Sequence, residues 1–356
     1  MRYRGDNGVV AQLSEDVRDR LLMAGASIDE IDRAEAHDDL YALVGDLVRR
    51  RGLAWRSIDE VAVAARTTRK EVERYRLLAA LPAGEEMIPE STVEGLEHYG
   101  VAAAFAGEEG AREFGRAVAS AAARVAETAT GVFLNNIAPA LEASDVAPSD
   151  AVQLIEAMTS ELITRTPKVF ELLFREHLLI AARRGRAEHE AELARVAVGF
   201  VDLVGSTDWA EQTSPSDHAT ALSRFEDAAW TAASAAGCRV VKMIGDEAML
   251  VGSDPNAVVL AMNEICCFAE LDAVLPAARG AVGLGTAFAR AGDYFGPLVN
   301  LVARAVKVAD CGEIVVTAET ALLLRGDRFD FRPLGPRELR GVAMPVELVA
   351  VSVRIT

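Results

Sequence analysis

The sequence predicts an α+β protein in two parts: an all-α region over residues 1–182 and a ferredoxin-like domain over residues 195–356, joined by a linker at 183–194. Up to about residue 190, apolar residues recur at spacings of three and four, which is typical of amphipathic helices. Beyond Arg195 they form short β-branched runs separated by helical segments, as in an α+β sheet. A chain of 356 residues is also long enough for two domains with separate cores.

In the first part, two segments show the helical spacing most clearly, and a Thr-Pro pair signals the start of a further helix. The apolar positions are Leu40, Leu43, Val44, Leu47 and Val48, and then Leu154, Ile155, Met158, Leu162 and Ile163. Thr166 followed by Pro167 is typical of an N-cap and first helical turn, so we expect a helix from Val169 to about Arg184. The charged stretch RRGRAEHEAELAR then predicts a linker or an exposed helical end.

The second part predicts strand, helix, hairpin, helix and strand, which is the order of a ferredoxin-like sheet with extra terminal strands. The strand candidates are VAVGFVDLV, RVVKMI, EAMLVG, ARGAVGLGTAFA, GEIVVTA and VELVAVSV. Helices are expected over Ser216–Ala235 and Pro255–Leu271. The stretch VVKMIGDEAMLVG predicts a hairpin that turns at Gly245–Asp246. A hairpin requires neither its lysine nor its aspartate, so both are candidates for function.

Composition excludes several classes of protein. No run of 18 apolar residues is present, and the start MRYRGDNGVV lacks the apolar core of a signal peptide, so we expect a cytoplasmic protein without a membrane span. The four cysteines make no CxxC or Cys/His metal spacing, which indicates reduced thiols. A net charge of −17 disfavours general nucleic-acid binding, because phosphate contacts need clustered cations.

The segment FVDLVGST places an aspartate at the end of a buried strand. Asp202 is followed by Gly205, Ser206 and Thr207, where a helix is expected to start. A carboxylate beside free backbone N–H groups suits a divalent metal together with a polyphosphate, although an aspartate that merely caps a turn fits the same pattern. Asp246, at the hairpin tip, would supply the second carboxylate that a two-metal site requires.

Four separated blocks resemble the signature blocks of class III nucleotidyl cyclases. They are FVDLVGST, VVKMIGDEAML, RAGDYFGPLVNLVARA and ELRG, in this order, and the resemblance covers about residues 195–356. It implies a catalytic domain that ring-closes a nucleoside triphosphate: the ribose 3′-oxygen attacks the α-phosphorus and pyrophosphate leaves. It also implies two divalent ions, Mg²⁺ or Mn²⁺, in each active site.

The resemblance assigns roles to the matching residues. Asp202 and Asp246 match the metal ligands, and Lys242 and Asp293 match the pair that reads the purine. The chemistry of that pair favours ATP, because a lysine can donate to adenine N1 and an aspartate can accept from the exocyclic amine. Guanine presents the opposite polarity at both positions, and such a mismatch rejects an analogue strongly.

The same resemblance implies how the transition state is stabilised. Asn300 and Arg304 match the pair that orients the ribose and stabilises charge on the phosphoryl group; four apart, they share one helix face. Arg340, in ELRG, falls where some members place a cation near the triphosphate. Together with Gly205, Ser206 and Thr207, it is our candidate for binding phosphate.

In the family, each active site takes its metal ligands from one subunit and its purine-reading and transition-state residues from the other. Because one chain here carries all of them, the resemblance implies a homodimer with two shared sites. The IGDE motif is also similar to the GGDE of diguanylate cyclases, but Ile244 replaces the first glycine. Guanylyl and diguanylate cyclases therefore remain alternatives to an adenylyl cyclase.

The first part is similar, less specifically, to the helical regulatory regions of actinobacterial cyclases. Its segment Ser57–Pro82 resembles a helix-turn-helix, and residues 49–76 hold nine Lys or Arg against four Asp or Glu. A catalytically silent, nucleotide-sensing DNA-binding regulator is therefore an alternative function. Packed helices with a solvated basic face are the structural explanation of the same pattern.

The sequence leaves more than one hypothesis for the signal that regulates the protein. His177 and His189 flank the linker, so sensing of protons near pH 6 is one hypothesis, and ordinary surface histidines are the alternative. An apolar ligand among the alanine-rich helices is another hypothesis.

Overall fold

The computed structural model describes residues 13–37, 40–82, 84–144, 146–188 and 193–354. The chain divides into two compact units, Met1–Ala181 and Ala182–Thr356. No helix within these described ranges is long and apolar enough to span a membrane.

In its described residues, the first unit is helical apart from one short antiparallel strand pair. Its helices are α1 (Glu15–Met23), α2 (Ile28–His37), α3 (Leu40–Arg50), α4 (Ile58–Ala64), α5 (Arg69–Leu78), α6 (Thr92–Val132), α7 (Ala138–Glu142) and α8 (Pro148–Glu188). The strands are β1 (Trp55–Ser57) and β2 (Met87–Pro89). A left-handed Gly107 interrupts α6, and a π-helical turn at Phe133–Ile137 separates α6 from α7.

Two small cores hold this unit together. One joins α1, α2 and α3 to the start of α8 through buried side chains such as Leu21, Ile31, Val44 and Ile155. The other lies between α4, α5 and β2. Apolar burial of this kind stabilises helices that would be marginal in isolation.

The helix expected to start at Thr166–Pro167 does not start there. Helix α8 runs from Pro148 to Glu188 with Pro167 inside it, so this prediction is wrong. A proline removes one backbone hydrogen bond and normally kinks or ends a helix. Here good helix formers continue on both sides, and the i,i+4 ion pairs Glu161–Arg165 and Glu171–Arg175 support the turns that flank the proline. Residues 183–188 of the predicted linker are therefore helical.

The second unit is a mixed sheet with helices on both faces. Its strands are β3 (Leu193–Leu203), β4 (Arg239–Ile244), β5 (Glu247–Gly252), β6 (Ala278–Arg290), β7 (Asp293–Phe295), β8 (Ile314–Thr317), β9 (Phe329–Arg337) and β10 (Val346–Val353). Its helices are α9 (Ser206–Gln212), α10 (Pro215–Ala236), α11 (Pro255–Leu271), α12 (Pro297–Ala305) and α13 (Ala318–Ala321), with a 3₁₀ turn at Val306–Val308.

The sheet contains the predicted ferredoxin-like arrangement. The strand order is β4-β5-β3-β6-β8-β10-β9, and β7 pairs with β6. The segment β6-β3-β5-β4 is the ferredoxin-like core, which β8, β10 and β9 extend beyond β6. Every pairing is antiparallel except the parallel contact between β6 and β8. The predicted fold class is thus confirmed for this unit.

Alternation along β3 explains why both faces of the sheet are covered. Ala197 and Val201 point into the core beneath α10 and α11, whereas Val198 and Phe200 point into the core beneath α12. This period of two is the pattern of a strand buried on both sides. The antiparallel pairing of β3 with β5 brings the end of β3 and the β4–β5 turn to the same edge of the sheet.

Candidate active site

The predicted purine-reading pair is in direct contact. Lys242, on β4, places its Nζ 2.5 Å from Oδ2 of Asp293, the first residue of β7. Oδ1 of the same carboxylate accepts a hydrogen bond of 2.7 Å from the backbone N–H of Tyr294. Both side chains are partly exposed, at 34% and 25%, so a ligand can reach them. The ring of Phe295 lies beside the lysine, with its centroid 5.7 Å from Nζ.

Arg239 fixes the turn that carries Asp293. The Nη1 and Nη2 atoms of Arg239, on β4, lie 3.4 and 3.3 Å from the carbonyl oxygen of Gly292. The guanidinium also lies over the ring of Tyr294, 5.3 Å from its centroid. Gly292 has a positive φ of 79°, which an L side chain rarely adopts, and this allows the tight β6–β7 turn. Arg239 therefore ties the Asp293 turn to the strand that carries Lys242.

Both predicted metal ligands lie at one edge of the sheet. Asp202, near the end of β3, is 2% exposed and pairs in the ladder with Glu247, the first residue of β5. Asp246 lies in the β4–β5 turn, and its carbonyl oxygen accepts a hydrogen bond of 3.2 Å from the backbone N–H of Leu203. The structure thus brings the end of β3 and the Gly245–Asp246 turn together, as the hairpin prediction required.

Sequence reasoning missed two cations that bind Asp202. Arg279, on β6, donates from Nε and Nη2 to Oδ2 at 3.2 and 3.1 Å. Lys307, in the 3₁₀ turn after α12, donates from Nζ to Oδ1 at 2.6 Å and lies 3.3 Å from Glu247 Oε2. A buried carboxylate is costly without such partners. Arg279 lies directly opposite Asp202 in the β3–β6 ladder, a register that no motif in the sequence indicates.

Burial and charge shift the pKa values of this cluster. Burial raises the pKa of Glu247, with the charge of Asp202 acting in the same direction and Lys307 opposing both. Burial alone would lower the pKa of Lys307, but its hydrogen bond to Asp202 and the charges of Asp202 and Glu247 outweigh that effect and raise it. The lysine therefore stays charged beside two carboxylates.

The predicted transition-state pair lies on α12. Asn300 is exposed, and Arg304 is half-buried with Nη1 3.2 Å from the carbonyl oxygen of Gly341. That carbonyl belongs to the loop after β9, in which Arg340 is exposed. The loop residues Glu338–Ala343, with Pro345, line an open cavity of about 530 Å³. The structure therefore groups Arg304 with the ELRG loop, whereas Asp202 is bound by Arg279 and Lys307.

The remaining site predictions have less distinctive surroundings. Gly205 is left-handed, with φ 69°, and precedes α9, a helix of seven residues. Ser206 is half-buried and Thr207 is exposed. His177 is exposed on α8, and His189 lies outside the described residues.

Whether a divalent ion fits at Asp202 depends on the side-chain atoms there that could bind it. Within the described part of the chain, no group of three or more His, Cys, Asp or Glu side chains is arranged to hold a metal ion. Mg²⁺ and Mn²⁺ accept few protein ligands and complete their shells with water and substrate phosphate oxygens. Asp202, Asp246 and Glu247 offer only oxygen ligands, and the cations on Asp202 show that its position attracts positive charge. The residues therefore fit a divalent ion.

In the helix-turn-helix-like segment, Arg69 and Arg76 are partnered by acids. Helices α4 and α5 are present, and Ser57 and Glu60 form a capping box at the start of α4. Arg69 contacts Glu73 at 3.0 Å and Glu86 at 2.7 Å. The side chain of Arg76 is 5% exposed and is paired with Glu85. These cations are neutralised within the unit, so packed helices explain the basic run better than DNA contacts do.

Comparisons with known proteins agree with the sequence resemblance. No family model matches the chain. An uncharacterized protein of Mycobacterium tuberculosis is 28% identical over 329 residues, which cover 90% of this chain and 86% of that protein. An adenylate cyclase of Glutamicibacter nicotianae is 38% identical over 135 residues, covering 38% of this chain and 33% of that enzyme.

Among solved structures, the guanylate cyclase domain of RhGC from Catenaria anguillulae, in complex with GTP, is similar at 22% identity. The match has a TM-score of 0.43 and covers 46% of this chain and all of that domain. The motif blocks, the ferredoxin-like sheet and the relatives named adenylate cyclase confirm the recognition made from the sequence. The chain is therefore similar in sequence to actinobacterial adenylate cyclases, and its second unit has the fold of a class III nucleotidyl cyclase domain, preceded by a helical region.

Proposed function

We propose that the chain is an adenylyl cyclase that converts ATP to 3′,5′-cyclic AMP and pyrophosphate. The observation that carries the choice of ATP is the contact between Lys242 and Asp293. This pair presents a donor and an acceptor side by side, which matches N1 and the exocyclic amine of adenine. Guanine would place its N1–H against the ammonium group and its carbonyl oxygen against the carboxylate. A GTP-using cyclase is therefore the less favoured alternative.

The protein's own side chains would position the reacting atoms. The purine pair fixes the base, Asn300 orients the ribose, and Arg304 donates to the phosphoryl oxygens as negative charge develops. The ribose 3′-oxygen forms its bond to the α-phosphorus while the bond to the β-phosphate oxygen breaks and pyrophosphate leaves. Divalent ions held by Asp202 and Asp246 would activate the 3′-hydroxyl and neutralise the phosphates.

The proposal includes a homodimer with two shared sites. It rests on the resemblance to class III cyclases, in which the metal ligands come from one subunit and the purine-reading and transition-state residues from the other. Asp202 and Asp246 of one chain would then meet Lys242, Asp293, Asn300 and Arg304 of the second chain around one ATP. On this proposal an isolated monomer is inactive.

The helical unit would regulate the catalytic unit. A site shared between subunits is sensitive to small shifts of one subunit against the other. The mycobacterial relative aligns along most of both units, so the pairing of the helical region with this domain is not peculiar to the present chain. Protons and an apolar ligand remain the hypotheses for the signal.

A product assay tests the proposal. We expect the full chain to form cyclic AMP from ATP with Mg²⁺ or Mn²⁺, and to form much less cyclic GMP or cyclic di-GMP from GTP. Parallel assays of Asp202→Asn and Asp246→Asn should show no product. Cyclic GMP as the main product would replace the proposed substrate, and the absence of any cyclic nucleotide with either metal would remove the proposed activity.

A further inference from the structure

The two oxygens of the Asp202 carboxylate are held by cations of very different exposure. Arg279 binds Oδ2 with two N–H groups, while its Nη1 lies 3.2 Å from the carbonyl oxygen of Lys307 and 3.4 Å from that of Ala309. Its side chain is 19% exposed and is held at several points. The side chain of Lys307 is 52% exposed, and its hydrogen bond to Asp202 is made by its terminal amine. Oδ2 is thus bound by a fixed partner and Oδ1 by a partner that can move into solvent.

The amine of Lys307 occupies the space between two carboxylates that a divalent ion would need. It lies 2.6 Å from Asp202 Oδ1 and 3.3 Å from Glu247 Oε2. A divalent ion bound to Oδ1 would stand about 2.1 Å from that oxygen. An ammonium group and a divalent ion at such short distances from one oxygen would repel each other strongly. Binding of one therefore requires the other to leave.

Building on the proposed function, we infer that Lys307 is an internal counter-ion that fills the Asp202 metal position when no metal is bound and competes with the incoming ion. We call its contacts with Asp202 and Glu247 the Lys307 clasp. The clasp lets the chain fold with a buried carboxylate in the absence of metal. It also weakens metal binding, because the ion must displace an ion pair that is already formed. Arg279 keeps the carboxylate in place while Lys307 leaves.

The competition predicts tighter metal binding when the amine is removed. In the full chain without nucleotide, Mn²⁺ binding is measured by titration calorimetry and by electron paramagnetic resonance of the free ion. For Lys307→Met, which retains the apolar stem, we expect the Mn²⁺ dissociation constant to fall by about ten- to a hundredfold, the equilibrium effect of losing one charge-assisted hydrogen bond. Lys307→Arg keeps the charge and should not tighten binding.

The matched control is Arg354→Gln. Arg354 is 48% exposed and pairs with Asp330 at 2.7 Å, so this change removes a cation of similar exposure from the same unit without touching Asp202. It should leave Mn²⁺ binding unchanged. Asp202→Asn in the Lys307→Met background should abolish the gain, which would place the gain at this carboxylate.

Thermal unfolding gives a second measurement that does not depend on activity. Lys307→Met should melt at a lower temperature than the parent chain in EDTA and should gain more from added Mn²⁺. If the variant binds Mn²⁺ no more tightly than the parent, or stays unfolded at saturating Mn²⁺, the inference about the Lys307 clasp is wrong and Lys307 only stabilises the fold. If neither the parent chain nor any variant has cyclase activity but the difference in Mn²⁺ binding is preserved, the proposed function is wrong and the inference about the Lys307 clasp still holds.

Discussion

The amine of Lys242 and the carboxylate of Asp293 touch across 51 positions of sequence, with Nζ 2.5 Å from Oδ2. The two residues come from β4 and β7, which are not paired strands, and Arg239 bridges them through the carbonyl oxygen of Gly292. The donor and the acceptor are therefore set side by side before any nucleotide binds. Preorganised polar groups of this kind discriminate strongly between analogues.

Reversing the polarity of this pair should change the choice of purine. In Lys242→Glu with Asp293→Asn, the first position accepts from guanine N1–H and the second donates to the guanine carbonyl. We expect kcat/KM for ATP to fall by about 10⁴-fold and the ratio of GTP to ATP use to rise. Steady-state kinetics with both nucleotides measures this outcome.

Each single change serves as a control for the double change. Lys242→Glu alone leaves one matched and one mismatched group for both purines, so it should lower ATP use without creating a preference for GTP. Asp293→Asn alone can still accept from the adenine amine through its Oδ1, so it should keep the preference for ATP. Equal losses for ATP and GTP in the double variant would mean that the pair holds the fold rather than reading the base.

Complementation tests whether the sites are shared. Lys242 and Asp246 lie four residues apart in one hairpin, yet the proposed dimer uses them in different active sites. Chains carrying Lys242→Ala and chains carrying Asp246→Ala should each be inactive, and mixing them should restore one working site per heterodimer. About a quarter of parental activity is expected for random pairing, since half of the dimers are mixed and each has one site of two.

The mixed sample is assayed for cyclic AMP after co-refolding or co-expression, with each variant alone as the reference. A double variant, Lys242→Ala with Asp246→Ala, mixed with either single variant is the negative control, because no dimer in that mixture has an intact site. Well-folded mixed dimers that stay inactive would contradict the shared-site arrangement.

Periodicity and turn chemistry predicted much of the second unit. The helix Pro255–Leu271 and the hairpin turn at Gly245–Asp246 are present as expected, because Pro at N1 and a left-handed glycine are strong local signals. Local signals failed at Pro167, where the helix continues through a residue that normally starts or ends one. Helix formers on both sides outweighed the local cost of the proline.

The partners of Asp202 could not be predicted in the same way. Arg279 and Lys307 lie 77 and 105 positions away from it, and each looks like an ordinary surface cation in the sequence. Their contact depends on the register of β3 against β6 and on the turn that follows α12. These features result from the packing of the whole unit, and no short motif encodes them.

The packing of α11 against the sheet explains one strand glycine. A Cβ atom at Gly199, on β3, would stand 2.7 Å from Met262 Sδ and 2.8 Å from Val258 Cγ1, two side chains that are fully buried. Gly199→Ala should therefore destabilise the second unit by about 1–3 kcal/mol. Gly285→Ala, on β6, is the matched control, because its nearest atoms are those of Leu298 at 3.5 Å, an ordinary contact distance.

Urea unfolding measures this difference. The fluorescence of Trp209 and Trp230 reports on the second unit once the remaining tryptophan is changed by Trp55→Phe. We expect a lower midpoint for Gly199→Ala and a midpoint close to the parent for Gly285→Ala. Equal midpoints for the two variants would show that Met262 and Val258 can move aside at little cost.

The loop after β9 holds Arg304 through Gly341. Gly341 has φ 74°, accepts a hydrogen bond from Arg304 through its carbonyl oxygen, and a Cβ atom there would stand 3.4 Å from Nη2. A longer side chain would occupy the space over the guanidinium. Gly341→Leu should therefore lower kcat by about 10- to 100-fold, since a displacement of about 1 Å in a positioned group can cost this much.

Gly335→Leu separates displacement of the guanidinium from backbone strain. Gly335 has a similar positive φ of 69°, and a Cβ atom there would meet nothing within 4 Å. Both substitutions should cost about 1–2 kcal/mol of stability from the left-handed backbone, but only the change at Gly341 should reduce kcat. Parallel measurements of melting temperature and kcat for the two variants test this, and equal losses of kcat would mean that Arg304 does not depend on the space that Gly341 leaves open.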